Sequence, residues 1–347
     1  MSPVPPPLMN ERNPVAELLL ERRAKKSKPN ERVDGRKVAL AIEGGGMRAI
    51  VSGAMVAALE ELDLLNSFDA VYGCSGGGIA GAYFLAQQAR QATTMFYDNL
   101  NDRRFINFPR LWVGRPVISL EYLFDHVCIH DRPLAVGRVL NSPIPLVLIG
   151  ASLTKRTSVA LRDFENPQSL FGALRSSTSI PVFAGPPVEY RGDRFVDGSL
   201  YESIPFGSAI RNGATDVVVL LTRPRGNLRN KPGFLERKLV APHLGRIHPT
   251  IAEQYLSRAQ HYQSELDEIE QRSKGIGPVS LLPIQLDDTG PIIRQLEKSR
   301  PRLVRGAMAG FRAVYRALNI PVLEITSPIA YMRSRRRIFA AKVNEDV

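Results

Sequence analysis

The stretch Val38-Ala39-Leu40-Ala41-Ile42-Glu43-Gly44-Gly45-Gly46 decides the fold, because an unbroken apolar run passes directly into three glycines. Five consecutive apolar residues are typical of a strand that is buried on both faces of a parallel sheet. Apolar residues at three- and four-residue spacing follow between Ile50 and Leu62, which predicts a helix. A second strand is predicted over 68–73 and a second helix over 76–91. This alternation predicts an α/β fold with helices on both faces of a mostly parallel central sheet.

The alternation continues along the chain, which favours one large α/β domain over two. Residues 92–145 are irregular and suit a lid or an insertion, 22–28 read as a linker, and 223–249 read as a long loop. Further strands are predicted over 145–153, 158–161, 216–222 and 279–284, a hairpin over 188–196, and helices over 169–176, 203–211, 252–272 and 302–318.

The domain is expected to span 37–330, between a basic, proline-containing N-terminal tail (1–36) and a basic C-terminal tail (331–347). No apolar run approaches the roughly 18 residues of a membrane span, and the first residues lack the apolar core of a signal peptide. Cys74 and Cys128 cannot build a disulfide framework, and no Cys/His cluster has the spacing of a zinc site. A soluble, cytoplasmic protein without a metal is therefore expected.

The formal net charge of +12 lies at the two ends of the chain. Residues 38–297 hold 26 basic and 26 acidic side chains, whereas 1–37 carry a net +4 and 298–347 a net +8. Such ends can attract a protein to an anionic membrane surface, at about 1 kcal/mol per basic residue. Solvated tails are the alternative. Nucleic acid is disfavoured, because the chain has no RNA-binding aromatic motif, zinc finger or basic zipper. We expect at most a peripheral contact with the inner membrane face.

Gly73-Cys74-Ser75-Gly76-Gly77 fits the pattern G-x-S-x-G, with a predicted strand before it and a predicted helix after it. That context is the one a nucleophile elbow requires. The Ser75 hydroxyl would project at a helix N-terminus, whose positive end favours a developing negative charge. A small-residue turn that packs a helix against the sheet is the alternative interpretation.

A second motif, Gly44-Gly45-Gly46-Met47-Arg48, follows the first predicted strand. Successive glycines allow backbone N–H groups to face one point, as an oxyanion or a phosphate needs. Ala49 stands where a dinucleotide-binding fingerprint would need glycine, and no G-K-[ST] follows. Adjacent parallel strands end at the same edge of a sheet, so this loop is expected beside Ser75.

A base is provided by Asp197-Gly198, which follow an apolar pair 122 residues after Ser75. An ordinary D-G turn is the alternative. The order Ser75, Asp197 and then His243 or His248 would also satisfy the α/β-hydrolase triad. That fold separates its oxyanion loop and its nucleophile by several strands, whereas here they follow the first two strands. All five histidines are therefore interpreted as surface or structural residues: His126, His130, His243, His248 and His261.

Over about 37–330 the chain resembles the patatin-like phospholipase family, in its bacterial form. Three of the features that carry the resemblance are Glu43–Arg48, Gly73–Gly77 and Asp197-Gly198. The fourth is Ala173–Phe183, which is similar to the family's segment before the catalytic aspartate. Four features in the right order are more specific than any one of them.

The resemblance implies a lipid acyl hydrolase with a Ser–Asp dyad and no metal or organic cofactor. Asp197 would take the Ser75 proton while Ser75 attacks an ester carbonyl. The backbone N–H groups of Gly45, Gly46 and Met47 would hold the oxyanion. Two alternatives remain open: a lipid-binding protein without catalysis on the same scaffold, and an α/β-hydrolase with a histidine.

Two positions depart from the family pattern: Ala49 replaces a glycine, and Ser199 replaces glycine or alanine. Ala49 would be unfavourable only if its φ were positive, and a helix start predicts a negative φ. Arg48 either adds positive charge at the loop or is an exposed arginine at a helix start. The helix predicted over 302–318 has arginines on one face, and is expected to pack on the sheet rather than lie on a membrane.

Overall fold

The protein is described by a computed structural model that covers residues 13–234 and 236–321. Short 3₁₀ turns lie at 46–49, 65–67, 108–113 and 198–200, and π-helical segments at 122–131 and 236–240. The strands are β1 (Val38–Ile42), β2 (Ala70–Cys74), β3 (Leu146–Ser152), β4 (Thr157–Leu161), β5 (Val188–Tyr190), β6 (Asp193–Asp197), β7 (Asp216–Leu220) and β8 (Ser280–Ile284). The helices are α1 (Pro14–Ala24), α2 (Ile50–Glu61), α3 (Gly76–Leu85), α4 (Ala89–Asp98), α5 (Val136–Leu140), α6 (Pro167–Thr178), α7 (Phe206–Arg211), α8 (Ala241–Ile247), α9 (Pro249–Ser273) and α10 (Arg300–Ala317).

The eight strands form one mixed sheet whose parallel part runs in the order β3, β2, β1, β7, β8. Strands β4 and β6 both run antiparallel to β3, and β5 pairs antiparallel with β6. Strand β4 pairs with 148–152 of β3, and β2 with 146–149. Since β6 pairs with 150–152, it must occupy the β2 edge of β3, just beyond the point where β2 ends.

The core lies on both faces of the sheet, as the sequence predicts. All five residues of β1 are buried. Leu40 and Ile42 belong to a cluster with α2, α3, α4 and α10, whereas Ala39 and Ala41 pack with α7 and α9. The predicted fold class, helices on both faces of a mostly parallel sheet, is therefore confirmed.

Several predicted elements differ in detail from the structure. The helix predicted over 76–91 is two helices, because Gln87 has φ +56° and ends the first. The second begins at Ala89, whose N–H donates to the Glu60 carboxylate at 2.9 Å. The loop predicted over 223–249 contains a π-helical segment and α8.

The N-terminal segment also differs, since α1 packs on the domain through Val15 and Leu19, which are fully buried. The linker predicted over 22–28 is therefore wrong. Arg22 is buried and donates to the carboxylates of Asp34 and Asp69, both at 2.8 Å. The domain boundaries at 36/37 and 330/331 stay predictions, and the tail 331–347 lies outside the described residues.

Helix α10 packs against α2. Leu303, Phe311 and Val314 are buried, while Arg305 and Arg312 on the opposite face are exposed. Within the described ranges, no helix combines the length and the hydropathy that crossing a bilayer would take.

We predict that Arg22→Met lowers the free energy of unfolding by about 2 kcal/mol, because two partly buried carboxylates lose a common partner. Asp69 also accepts the Val38 N–H at 2.7 Å, so the substitution should also weaken the anchoring of the start of β1. Urea unfolding followed by circular dichroism measures the change. Lys25→Met removes an exposed pair with Glu21 and should change it by less than about 0.5 kcal/mol. Equal effects of the two substitutions would contradict the role of Arg22.

Candidate active site

Ser75 lies on a sharp turn between β2 and α3. Its backbone has φ 54° and ψ −130°, a positive φ that non-glycine residues rarely adopt and that costs about 1–3 kcal/mol. The turn brings α3 close to β1, and a Cβ on Gly77 would lie 2.3 Å from the Ile42 carbonyl oxygen. Only glycine permits that approach. The structure therefore has a sharp strand-to-helix turn at Ser75, which is the geometry that a nucleophile elbow requires.

Asp197 reaches Ser75 because β6 continues along the β2 edge of β3. Cys74 pairs with Ile149, and Asp197 pairs with the next residue of β3, Gly150. The Ser75 Oγ–H donates to Asp197 Oδ2 at 2.6 Å. The two residues that the sequence selected, 122 positions apart, are in direct contact.

The Asp197 carboxylate is almost completely buried, with 2% of its surface exposed. Its second oxygen, Oδ1, accepts the Ser199 N–H at 2.9 Å, and its own N–H donates to the Ser179 carbonyl at 2.8 Å. Burial raises the pKa of Asp197, while the hydrogen bonds from Ser75 and Ser199 act against the rise. A carboxylate with a raised pKa is a better proton acceptor than an exposed one.

Ser177 fixes the elbow, a role that the sequence did not reveal. Its hydroxyl oxygen accepts the Ser75 N–H at 3.0 Å and its proton goes to the Ile149 carbonyl at 2.6 Å. Ser177 therefore ties the turn at Ser75 to β3, the strand with which Asp197 pairs. The only signal in the sequence was its place in the segment Ala173–Phe183.

The glycine loop lies directly against the serine, since a Cβ on Gly44 would be 2.7 Å from the Ser75 Cβ. Gly45 and Gly46 have φ values of +138° and +58°. The Met47 N–H, expected at the oxyanion, donates instead to the Gln295 carbonyl at 2.9 Å. Among the described residues, no acceptor is found for the N–H groups of Gly45 and Gly46.

The Arg48 N–H is also engaged, because it donates to the Gly45 carbonyl at 3.2 Å. The Arg48 side chain folds under the loop, where Nε donates to Thr222 Oγ1 at 3.1 Å. Burial lowers the pKa of Arg48 to about 10. Of the two interpretations of Arg48, the structure therefore agrees with positive charge at the loop.

The end of β1 is held by a buried carboxylate that sequence reasoning missed. Glu43 is 2% exposed and accepts the Thr222 N–H at 2.5 Å and the Tyr262 hydroxyl at 3.0 Å. These partners stand 179 and 219 residues further along the chain, so nothing near Glu43 in the sequence could identify them. Ala49 has φ −61°, the negative value predicted for this departure from the family pattern.

An apolar cavity opens at Ser75, bounded on one side by Gly46 and Met47 and on another by Thr178 and Gln295. The remaining wall comes from α3, α4 and the segment that follows α4. Six apolar side chains of that wall are Ile79, Met95, Phe96, Leu100, Phe105 and Ile118. Ser75 therefore faces a space lined mainly by apolar side chains, which suits a hydrocarbon better than a polar group.

The histidine alternative finds no geometric support, since no histidine bonds to Ser75 or Asp197 in the described part of the chain. His248 caps α9 by accepting the Thr250 N–H, and His261 contacts Gln254. Among the described residues, no group of three or more His, Cys, Asp or Glu side chains is placed to hold a metal ion.

Comparison with known proteins agrees with the motifs. The sequence model of the family Patatin-like phospholipase matches residues 40–210. The uncharacterized protein YjjU of Escherichia coli (strain K12) is 26% identical over 192 residues, which make up 54% of this chain and 52% of YjjU. The chain thus spans about half the length of that curated relative.

Two solved structures are also similar. VipD from Legionella pneumophila has a TM-score of 0.40 and 12% identity, over 82% of this chain and 66% of VipD. Human GIVD cytosolic phospholipase A2, in complex with methyl gamma-linolenyl fluorophosphonate, has a TM-score of 0.41 and 13% identity, over 89% and 63%.

We predict that Gly198→Ala destabilises the protein by about 3 kcal/mol, because its Cβ would lie 2.2 Å from the Ile149 carbonyl oxygen. Thermal unfolding of the purified variant measures this loss. Gly137→Ala is the matched control: it lies in α5 with no atom within 4 Å of the added Cβ, and alanine should stabilise that helix by about 0.5–1 kcal/mol. A Gly198→Ala variant as stable as the wild type would contradict the close approach of β6 to β3.

Proposed function

Because residues 40–210 match the sequence model of the family Patatin-like phospholipase, we propose that the protein is a serine hydrolase that cleaves carboxylic esters of lipids. The observation that carries the proposal is the 2.6 Å hydrogen bond to Asp197 from Ser75, which lines an apolar cavity. The cavity takes the acyl chain, and the scissile carbonyl then lies beside the serine.

In the proposed first step, Asp197 accepts the Ser75 proton while Oγ attacks the ester carbonyl. The negative charge passes to the carbonyl oxygen, where the N–H groups of Gly45 and Gly46 and the N-terminus of α3 stabilise it. One such donor contributes about 3 kcal/mol to transition-state stability in other hydrolases. The tetrahedral intermediate collapses to an acyl-enzyme, and the alcohol leaves with the proton from Asp197.

In the second step, Asp197 accepts a proton from water and the resulting hydroxide equivalent attacks the acyl-enzyme. The intermediate releases the fatty acid, and the proton returns to Ser75. The chain needs no group beyond its own side chains and water for this sequence.

A lipid-binding protein without catalysis is the second candidate, and the elbow argues against it. Binding a hydrocarbon chain needs the cavity alone. A positive φ at Ser75 costs about 1–3 kcal/mol, and it serves only to present the hydroxyl to Asp197. The two basic ends keep their proposed role in peripheral membrane contact.

We predict that Ser75→Ala, Asp197→Asn and the double variant fall to a similar residual rate on a soluble short-chain ester, because the two residues act as one unit. Steady-state hydrolysis of p-nitrophenyl butyrate measures the rates. His243→Asn and His248→Asn serve as controls and should retain wild-type rates. A wild-type rate for Asp197→Asn would remove Asp197 from the mechanism.

We also predict the stability of the Asp197→Asn variant relative to the wild type. The raised pKa of Asp197 means that its contribution to stability is present at low pH and is lost as pH rises through that pKa. At neutral pH the ionised carboxylate therefore lowers the stability of the wild type, and the Asp197→Asn variant should be at least as stable.

A fluorophosphonate should label the wild type at Ser75 and not at the buried Cys74, whose thiol pKa is raised by burial.

We predict that kcat/KM on the soluble ester rises with pH along a limb set by Asp197, since only the ionised carboxylate accepts the proton. Burial raises the Asp197 pKa, so this limb should lie above about 3.9, the pKa of an exposed aspartate. The pH profile of kcat/KM measures it. If the limb moved or vanished on replacement of any histidine, a triad would replace the dyad.

A further inference from the structure

A protruding loop follows Phe105, and we call residues 107–116 the Trp112 loop. Its base is closed by a bridge between Ile106 and Ile118 and by the Asn107 N–H, which donates to the Val117 carbonyl at 2.8 Å. Its tip is the 3₁₀ turn 108–113. The closed base holds the tip in one position relative to the domain.

The tip exposes large apolar side chains side by side. Trp112 is 90% exposed, Val113 71%, and Phe108 and Leu111 are each 49% exposed. Exposed apolar residues are ordinarily scattered singly, and a contiguous set marks a surface that contacts a partner or a membrane. Tryptophan in particular favours the interface between water and lipid, because its ring is apolar while its indole N–H forms hydrogen bonds with water or headgroups.

Positive charge surrounds this apolar tip. Residues 103–115 contain four arginines and no acidic side chain. Arg103 and Arg115 are exposed and form no ion pair with any described residue. Arg104 pairs with Asp102 at 2.8 Å, and the Arg110 guanidinium donates to the Arg104 carbonyl at 3.0 Å. An apolar tip ringed by arginine matches a bilayer with anionic headgroups. The same arginines disfavour contact with a second copy of the loop, because like charges would then lie together.

The base of the Trp112 loop belongs to the wall of the cavity at Ser75. Phe105 and Ile118, which flank the loop, both line that cavity. Lys298 donates to the Ile106 carbonyl at 2.6 Å, which fixes the same base to the segment before α10. The apolar tip therefore projects from a part of the chain that forms the cavity wall on both sides of the loop.

We propose that the Trp112 loop inserts into the surface of an anionic lipid bilayer and holds the mouth of the cavity against it. This inference rests on the proposed function, since it gives the lipid hydrolase its route to a membrane-bound substrate. Insertion would bury the tip in the acyl region while the arginines contact headgroup phosphates. An acyl chain could then pass from the bilayer into the cavity without crossing water.

Trp112 is the only tryptophan of the chain, so intrinsic fluorescence reports on the loop alone. The whole chain with Ser75→Ala is used, so that the vesicle lipid is not hydrolysed during the measurement. It is titrated with vesicles of phosphatidylcholine and phosphatidylglycerol at 7:3, and with vesicles of pure phosphatidylcholine. We expect a blue shift with the anionic vesicles, weakened by salt, and quenching by brominated acyl chains. Sedimentation of the protein with vesicles while its emission stays at the wavelength of a hydrated tryptophan would overturn the proposal.

A matched pair of variants tests the apolar contact in the same background. Val113→Asp should weaken partitioning onto anionic vesicles at least tenfold, and it leaves the fluorophore in place. Ile276→Asp is the control, because Ile276 is 60% exposed but lies before β8, at the opposite edge of the sheet. We expect less than a twofold change there. Equal losses in the two variants would show that any added acid weakens binding and would overturn the loop assignment.

Charge is tested separately by Arg103→Gln and Arg115→Gln. Each should weaken binding to anionic vesicles about fivefold at low salt and leave binding to pure phosphatidylcholine unchanged. No change with either variant would contradict the electrostatic part of the proposal. A blue-shifted emission that depends on protein concentration without vesicles would identify a second copy as the occupant, and would overturn it as well.

Hydrolysis of monomeric p-nitrophenyl butyrate by the Ser75-containing protein separates this inference from the proposed function. If the wild type cleaves the soluble ester and Val113→Asp binds vesicles as well as the wild type, the insertion proposal fails alone. If the wild type cleaves no ester while Trp112 still enters the bilayer, the proposed function fails and the insertion is observed in a protein of another activity.

Discussion

The site depends on one backbone constraint: Ser75 must leave β2 with a positive φ so that its hydroxyl turns toward Asp197 and not along the strand. That turn forces α3 against the ends of β1 and β2. A Cβ on Gly73 would lie 2.4 Å from the Gly78 Cα, and one on Gly44 would lie 2.4 Å from the Cys74 carbonyl oxygen. The glycines are therefore consequences of the elbow, and Ser177 supplies the hydrogen bond that keeps the strained residue in place.

The contact between Ser75 and Asp197 follows from a shared sheet edge. Strand β2 ends at Cys74 because the chain turns into α3, and this leaves the far end of β3 without a neighbour on that side. Strand β6 arrives from the opposite direction and fills the gap, so its last residue, Asp197, comes to lie next to Ser75. Two neighbouring positions of β3, Ile149 and Gly150, thus set the distance between two residues that are 122 positions apart.

Local sequence predicts what depends on local chemistry. The run 38–42, the turn at Ser75 and the Asp197-Gly198 pair carry their own signals, and the strands and the Ser75–Asp197 pairing follow from them together with the family resemblance. The linker expected at 22–28 was wrong because Arg22 looks like a solvated charge, whereas its carboxylate partners lie 12 and 47 residues away. Glu43 and Ser177 were missed for the same reason. Their hydrogen-bond partners lie far away in the sequence, and no sequence pattern relates them to those partners.

The glycine loop needs rigidity more than it needs charge, and three fixed points provide it. Glu43 joins the end of β1 to Thr222 beyond β7, Tyr262 of α9 holds the other oxygen of that carboxylate, and the Met47 N–H is bound to Gln295. In the proposed mechanism, the buried Glu43 carboxylate would repel an oxyanion at this loop unless a cation offset its charge. The Arg48 guanidinium lies against Gly45 on that side of the loop and balances the negative charge of Glu43. Because the Met47 N–H is bound to Gln295, the mechanism proposed above uses the N–H groups of Gly45 and Gly46 as the oxyanion donors.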